Sequence, residues 1–175
     1  MNPSHVQPQP STIERTAWSM ADDAIAAIIA ELCTRKNPGV LELGTHHGYS
    51  ALRFSPHARI VVTIENDLKF FETAQAHLEH IPNIRTLFGD ARAIIPTLHE
   101  KFDVIIIDAK KSEYATYLTL CLEKIKPGGV IFADNTLSHT SKLGAFFTLL
   151  EKLAIDWREL GTHKGLVRIE SPAQL

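Results

Sequence analysis

The sequence predicts a single doubly wound α/β domain, a mostly parallel sheet that ends in an antiparallel hairpin, and three observations lead to it. Short β-branched runs alternate with segments of helical period from residue 40 to residue 134, the order that wraps helices over both faces of a parallel sheet. The runs at 102–108 and 130–134 are almost continuously apolar, as strands covered on both faces are. The last two runs, 155–160 and 166–170, alternate in polarity and flank Gly161-Thr162-His163-Lys164-Gly165, the pattern of a hairpin. Together the runs make a seven-stranded sheet. With 175 residues and 45% hydrophobic content, the chain is long enough for one full core and short for two.

Residues 1–12, with Pro3, Pro8 and Pro10 among polar neighbours, read as a flexible tail, which leaves 13–175 as the domain. Ser11 or Thr12 can cap a helix that runs to about Lys36, with Glu14 in its first turn and Ile25, Ile28, Ile29 and Leu32 as its apolar stripe. Asn37-Pro38-Gly39 ends it. The strand at 40–43 leads into Gly44, and Gly48 opens a helix over 49–54. Ser55-Pro56-His57 then turns the chain into 60–64, which finishes in Glu65.

A helix over 67–80 is expected to face Leu68, Phe71, Ala74 and Leu78 inward, and Pro82 stops it before a strand at 83–88. Gly89-Asp90-Ala91 begins a helix containing Ile94, Ile95 and Leu98, which Pro96 keeps short. After the 102–108 strand come a helix over 112–125, a turn at Lys126-Pro127-Gly128-Gly129 and the strand at 130–134. A helix over 142–153 precedes the hairpin. Trp18, Trp157, Phe146 and Phe147 read as core or edge packing.

Composition narrows the classes of function. A net charge of −2 gives no electrostatic case for duplex nucleic acid or an anionic membrane. Cys33 and Cys121 lie far apart without a C-x-x-C pair, which suggests neither a disulfide framework nor a zinc site. No apolar signal core or membrane-spanning run is present, so a cytoplasmic protein is expected.

In a doubly wound sheet the ligand lies beyond the carboxyl ends of the strands, and Gly44, Glu65, Asp90, Asp108, Asp134 and Asn135 all fall at such ends. Glycine at 44 and 48 lets the backbone turn sharply and approach a ligand, although the spacing differs from the G-x-G-x-x-G of nicotinamide sites. Glu65, at the tip of the second strand, is placed to hold a ribose diol. Asp108, Asp134 and Asn135 form an all-oxygen set suited to Mg²⁺ or Ca²⁺, though the same residues also serve as caps or Asx-turns after strands. Lys111 is a base only if burial or a neighbouring cation lowers the ordinary lysine pKa of about 10.4; otherwise it is a solvated lysine beside Lys110. His46 and His47 lack a third ligand at recognisable spacing, while His139 could face a substrate from the loop after Asn135.

These residues resemble the S-adenosylmethionine-dependent O-methyltransferases of the catechol and caffeoyl-CoA type. The matching stretches are VLELGTHHGYSA at 40–51, VVTIE at 61–65, FGDARAIIP at 88–96, FDVIIIDAKKSEY at 102–114 and KPGGVIFADN at 126–135. The resemblance implies a Rossmann-like, class I methyltransferase sheet. It also implies that Gly44, Gly48 and Ser50 hold the methionine part of the cofactor, Glu65 the ribose, and Asp90 with Ala91 the adenine edge. Glu42, Thr45, His46, Tyr49, Asn66, Gly89 and Asp108 complete that cofactor set. Asp108, Asp134 and Asn135 would bind Mg²⁺ or another divalent cation, with Lys111 as the general base.

The acceptor implied is a small hydroxylated, catechol-like molecule. The alternatives are a tRNA hydroxyuridine, against which the acidic balance argues, and a cofactor-binding protein that no longer transfers a methyl group. A homodimer is expected by analogy, through apolar residues on the first helix. Two positions depart from the family pattern: Lys110 stands where an acid is usual, and Ser138 where an aromatic residue is common.

Overall fold

The computed structural model describes residues 13, 15–16 and 19–171, so the expectations for the 1–12 tail, its Ser11 or Thr12 cap, Glu14 and Trp18 fall outside it. In chain order the elements are α1 (Asp22–Cys33), β1 (Gly39–Leu43), α2 (Tyr49–Phe54), β2 (Ile60–Glu65), α3 (Leu68–Leu78), β3 (Ile84–Phe88), α4 (Ala91–Thr97) and β4 (Phe102–Ile107). Then follow α5 (Tyr114–Lys124), β5 (Ile125–Asp134), α6 (Gly144–Lys152), β6 (Trp157–Glu159) and β7 (Leu166–Glu170). The seven strands lie in the order β3-β2-β1-β4-β5-β7-β6. All neighbours run parallel except β7, which is antiparallel to both β5 and β6.

Side chains alternate between the two faces, so each central strand feeds two cores. Leu41, Leu43, Val62, Ile64, Ile105, Ile107 and Ile131 pack under α4, α5 and α6. Val40, Val61, Val104, Ile106, Val130 and Phe132 pack under α1, α2 and α3. Val40 is paired to Val61 on one side and Val104 on the other, which puts the ends of β1, β2 and β4 at one rim. Strand order reverses between β1 and β4, and that reversal opens the crevice in which doubly wound sheets bind ligands.

Several boundaries differ from the sequence expectation. The first helix starts at Asp22 rather than near residue 12; Ile13 and Met20 are buried but not helical. Asp22 and Asp23 supply the first-turn negative charge, and Asp23 Oδ1 accepts the Ala24 N–H at 2.9 Å. Ile25, Ile28 and Leu32 are turned into the core and Ile29 is half-buried, as the apolar stripe predicts.

In α3 the apolar stripe begins one turn late. Leu68 is 54% exposed, while Ala74 and Leu78 are buried. Residues 126–129 are not a turn between elements but a bulge inside β5. The ladder pairs Phe102 with Ile125, then resumes at Val104 with Val130. Pro96 closes α4 at two turns. The first strand of the hairpin shortens to Trp157–Glu159, an exposed edge on which the Trp157 ring packs tilted against Phe147. Among the described residues no helix is long and apolar enough to cross a membrane.

Candidate active site

The site is assembled at the rim where β1, β2 and β4 end. Gly44 N donates to Ile64 O and Asp108 N to Leu43 O, both at 2.9 Å, which keeps the three strand ends locked together. A Cβ on Gly44, whose φ is +99°, would come within 2.3 Å of Asp108 O. The glycine is therefore set by the approach of two strand ends as well as by the cavity it borders. Gly48 has φ +87° and a different neighbour: its Cβ would meet Leu78 Cδ1 at 2.7 Å, so it lets α3 close on the turn and does not face the cavity.

Between those glycines the backbone reaches toward β2. His46, at φ +49°, donates its N–H to Glu65 Oε2 at 2.8 Å, and Asn66 and Asp67 donate theirs to Oε1 at 2.9 Å each. Three amides thus fix the carboxylate in one orientation and leave further acceptor positions on each oxygen. The His46 ring lies 4.2 Å from Phe70 and 4.0 Å from His47, centroid to centroid. Burial, followed by the neighbouring His47, lowers the His46 pKa and keeps the ring neutral.

Glu42 lies beneath this loop, with no exposed surface and no part in the cavity wall, contrary to its expected place in the cofactor set. Thr63 Oγ1 donates to Glu42 Oε2 at 2.6 Å, which leaves Thr45 Oγ1 as the donor in its own 2.6 Å contact with Thr63. Burial pushes the Glu42 pKa up to about 7, and Asp108 and Glu65 add to the rise against the opposing pull of the Ser50 and Thr63 hydroxyls. A fully apolar strand would have put a hydrocarbon here. Glu42 instead anchors the turn from below through two threonines.

Asp90 is also placed differently. Its side chain caps α4 by accepting Arg92 N at 2.8 Å and pairs with the Arg92 guanidinium, while Gly89 and Ala91 border the cavity. At the end of β4, Asp108 Oδ1 accepts from Lys111 Nζ at 2.7 Å, and both side chains are largely buried. Lys111 Nζ also sits 5.3 Å from the centre of the Tyr114 ring, whose hydroxyl donates to Asp134 O at 2.9 Å.

Asp134 is fully buried behind Asn135. Asn135 Nδ2 donates to Asp134 Oδ2 at 2.5 Å, while Asp134 Oδ1 has no partner. Burial and then the charge of Asp108 hold the Asp134 pKa well above the usual carboxylate range. Asn135 itself is in the left-handed region at φ +66°. Among the described residues no three His, Cys, Asp or Glu side chains are grouped to share an ion, so an ion here would rest on two carboxylates and the Asn135 amide.

These residues surround a cavity of about 610 Å³. Of the sequence-predicted set, Gly44, Thr45, His46, Tyr49, Ser50, Glu65, Asn66, Gly89, Ala91, Asp108, Lys111 and Asn135 border it; Glu42, Gly48, Asp90 and Asp134 do not. His139 and Lys110 also line it. The sequence reading missed Ser19 and Met20, which precede α1, Phe70 on α3 and Tyr117 on α5. A helical residue that turns toward a strand-end crevice carries no local motif. Tyr117 is one helical turn from Tyr114, and that spacing was the available sign.

A family model for O-methyltransferases matches residues 10–145. A catechol O-methyltransferase of Niastella koreensis is 36% identical over 120 residues, which are 63% of this chain and 53% of that protein. A protein-L-isoaspartate O-methyltransferase of Burkholderia vietnamiensis is 36% identical over 123 residues, 69% of this chain and 38% of that protein. The match thus spans about half the length of the first relative and less of the second. Among solved structures, an O-methyltransferase from Bacillus cereus in complex with S-adenosylhomocysteine superposes with a TM-score of 0.79 at 21% identity, covering 90% of this chain and 84% of the other. The O-methyltransferase TomG from Streptomyces achromogenes, in complex with S-adenosylmethionine, gives 0.78 at 22% identity, with 88% and 82% covered.

Proposed function

Because the chain belongs to the O-methyltransferase family, we propose that it transfers a methyl group from S-adenosylmethionine to a hydroxyl of a small, catechol-like acceptor, with the help of a divalent cation. The observation that carries this reading is one cavity bordered at one end by the Gly44 turn and Glu65, and at the other by Asp108, Lys111 and Asn135. Glu65, fixed by three amides, is suited to accept two hydrogen bonds from a ribose diol. Ser50, Thr45 and the turn between them suit the methionine end, and Gly89 with Ala91 the adenine edge. The Bacillus and Streptomyces proteins, which share the fold, were solved with S-adenosylhomocysteine and S-adenosylmethionine.

The residues at the other end fit a hard cation. Asp134 Oδ1 is buried without a partner beside a second carboxylate, and the donors are all oxygen. Asp108, Asp134 and the Asn135 amide oxygen would hold the ion, which when bound lowers the pKa of a coordinated hydroxyl. Once its bond to Asp108 gives way and its ammonium has released a proton to solvent, Lys111 would be the neutral amine that takes the acceptor proton. The cavity walls hold donor and acceptor close together, which is the larger share of such catalysis.

The Burkholderia relative's name points to a carboxyl acceptor. A carboxylate is already an anion at neutral pH and needs neither a base nor a cation, so the Asp108–Lys111–Asp134 cluster favours the hydroxyl. The reading keeps the protein in the cytoplasm, consistent with its unpaired Cys33 and Cys121. Calorimetry with S-adenosylhomocysteine and transfer of labelled methyl to catechol, with and without EDTA, test it. Binding together with EDTA-sensitive transfer that Asp134→Ala abolishes is the expected result. Transfer indifferent to EDTA and to Asp134→Ala removes the cation, and absence of binding removes the whole proposal.

A further inference from the structure

Three contacts gather around one carboxylate at the start of α5, and one of them reaches the start of α4. Glu113 Oε1 accepts from Lys110 Nζ at 2.8 Å and faces Arg92 Nη1 at 3.5 Å, and Glu113 Oε2 accepts from the Tyr117 hydroxyl at 2.7 Å. Arg92 in turn chelates Asp90, the residue that caps α4, with contacts of 3.0, 3.0 and 2.5 Å. Single ion pairs this exposed stabilise little, since Lys110 and Arg92 are 68% and 49% exposed. Glu113 is different: it is 15% exposed and uses both oxygens to gather Lys110 from its own loop, Tyr117 from α5 and, as an ion pair, Arg92 from α4.

Two of those donors, Lys110 and Tyr117, line the cavity, and the third follows Ala91, which also lines it. The α4 helix has seven residues including Pro96, too few to hold its place by intrinsic helicity. At its far end it is stapled to α5 by Lys124 Nζ, which donates to Pro96 O and Leu98 O at 3.2 and 2.6 Å. At the cavity end the staple is Glu113.

We propose that Glu113 is a positioning residue for cofactor binding: through Lys110, Tyr117 and Arg92 it sets the width of the cavity between the Gly89–Ala91 wall and the loop that carries Asp108 and Lys111. The inference rests on the cofactor reading above, which assigns the adenine edge to that wall. It also gives Lys110 a function. A lysine where the family commonly carries an acid is the cation that Glu113 requires on its loop side.

The test uses the full chain and S-adenosylhomocysteine as the probe. Glu113→Gln keeps the shape and an acceptor for Tyr117 but removes the charge that holds Lys110 and Arg92. The variant is expected to weaken S-adenosylhomocysteine about five- to tenfold by calorimetry, with the KM for the methyl donor rising in step and kcat within about twofold. Arg92→Gln, a surface change, should give a smaller loss, and the double variant should lose less than the sum of the two. Screening by salt should weaken binding to the wild-type protein and leave Glu113→Gln almost unmoved. Unchanged affinity in both variants, or a fall in kcat at constant KM, overturns the proposal. So does a lower melting temperature without any change in affinity. Failure of the wild-type chain to bind the probe would instead overturn the cofactor reading.

Discussion

At the residue scale, Glu42 separates what a sequence pattern shows from what packing decides. An acid at the end of an apolar strand and two residues before a glycine turn reads as a ligand contact, and Glu65 and Asp108, also acids at strand ends, do border the cavity. Glu42 alternates to the buried side of β1, where its charge has no water and its Oε1 no partner. Its pKa of about 7 against an ordinary 4.5 means that the folded state binds more protons than the unfolded chain between those values. Stability conferred by the protonated form is complete below about pH 4.5 and is lost as the pH rises through 7. Glu42→Gln removes that slope. Its stability should equal that of the wild type near pH 5 and exceed it at pH 8, by on the order of 3 kcal/mol at most, read from melting curves at the two pH values. Parallel melting curves at both pH values would show that Glu42 is not protonated in the fold.

At the scale of elements, the strands were legible because a covered parallel strand must be apolar along nearly its whole length, as 102–107 apart from Asp103 and 130–133 are. Helix starts were less so. The pair Asp22-Asp23 was a usable start signal, but the apolar period extends upstream through Ile13 and Met20, which pack in the core without being helical. The bulge at 126–129 was read as a turn because Pro127, Gly128 and Gly129 punctuate sequences in the same way whether or not a ladder resumes beyond them. The cap of α3 was the clearer case. Asp67 Oδ1 accepts the N–H of Lys69 and Phe70 at 3.0 and 3.2 Å, and Phe70, one residue on, reaches the cavity. Asp67→Ala should therefore cost about 1 kcal/mol of stability in denaturant unfolding and loosen the Phe70 wall, with a weaker affinity for S-adenosylhomocysteine. A loss of stability with affinity intact would confine Asp67 to capping.

Across the whole molecule, α1 is tied to the antiparallel end of the sheet. Glu31 on α1 accepts from Arg168 Nη2 on β7 at 3.0 Å and from Arg35 Nη2 at 2.6 Å, with all three side chains mostly buried. Burial alone would raise the Glu31 pKa, but the bonds from Arg35 and Arg168 outweigh it and hold the carboxyl below its ordinary 4.5. Stability from this cluster is thus present above that value and is lost as the pH falls through the lower, folded one. Arg168→Gln should lower stability at pH 7 by roughly 1–2 kcal/mol, since Arg35 still partners Glu31. The gap should close as the pH falls through that lowered, folded value, and a gap independent of pH would show that Arg168 acts by packing alone.

This tie lies away from the β1–β4 reversal, and the separation gives a test of where the ligand acts. Binding at about a hundred times Kd stabilises the native state by about 2.7 kcal/mol, whatever the contacts. The location of the protection is specific. In hydrogen exchange with S-adenosylhomocysteine, slowing should concentrate in residues 44–50, 65–70, 89–92 and 108–117, the segments that border the cavity or hold its wall. The β6–β7 hairpin, which pairs with β5 and meets the loop after it but borders no part of the cavity, should gain no more than the uniform increment. Protection spread evenly over the sheet, or strongest in that hairpin, would place the ligand away from the strand-end crevice.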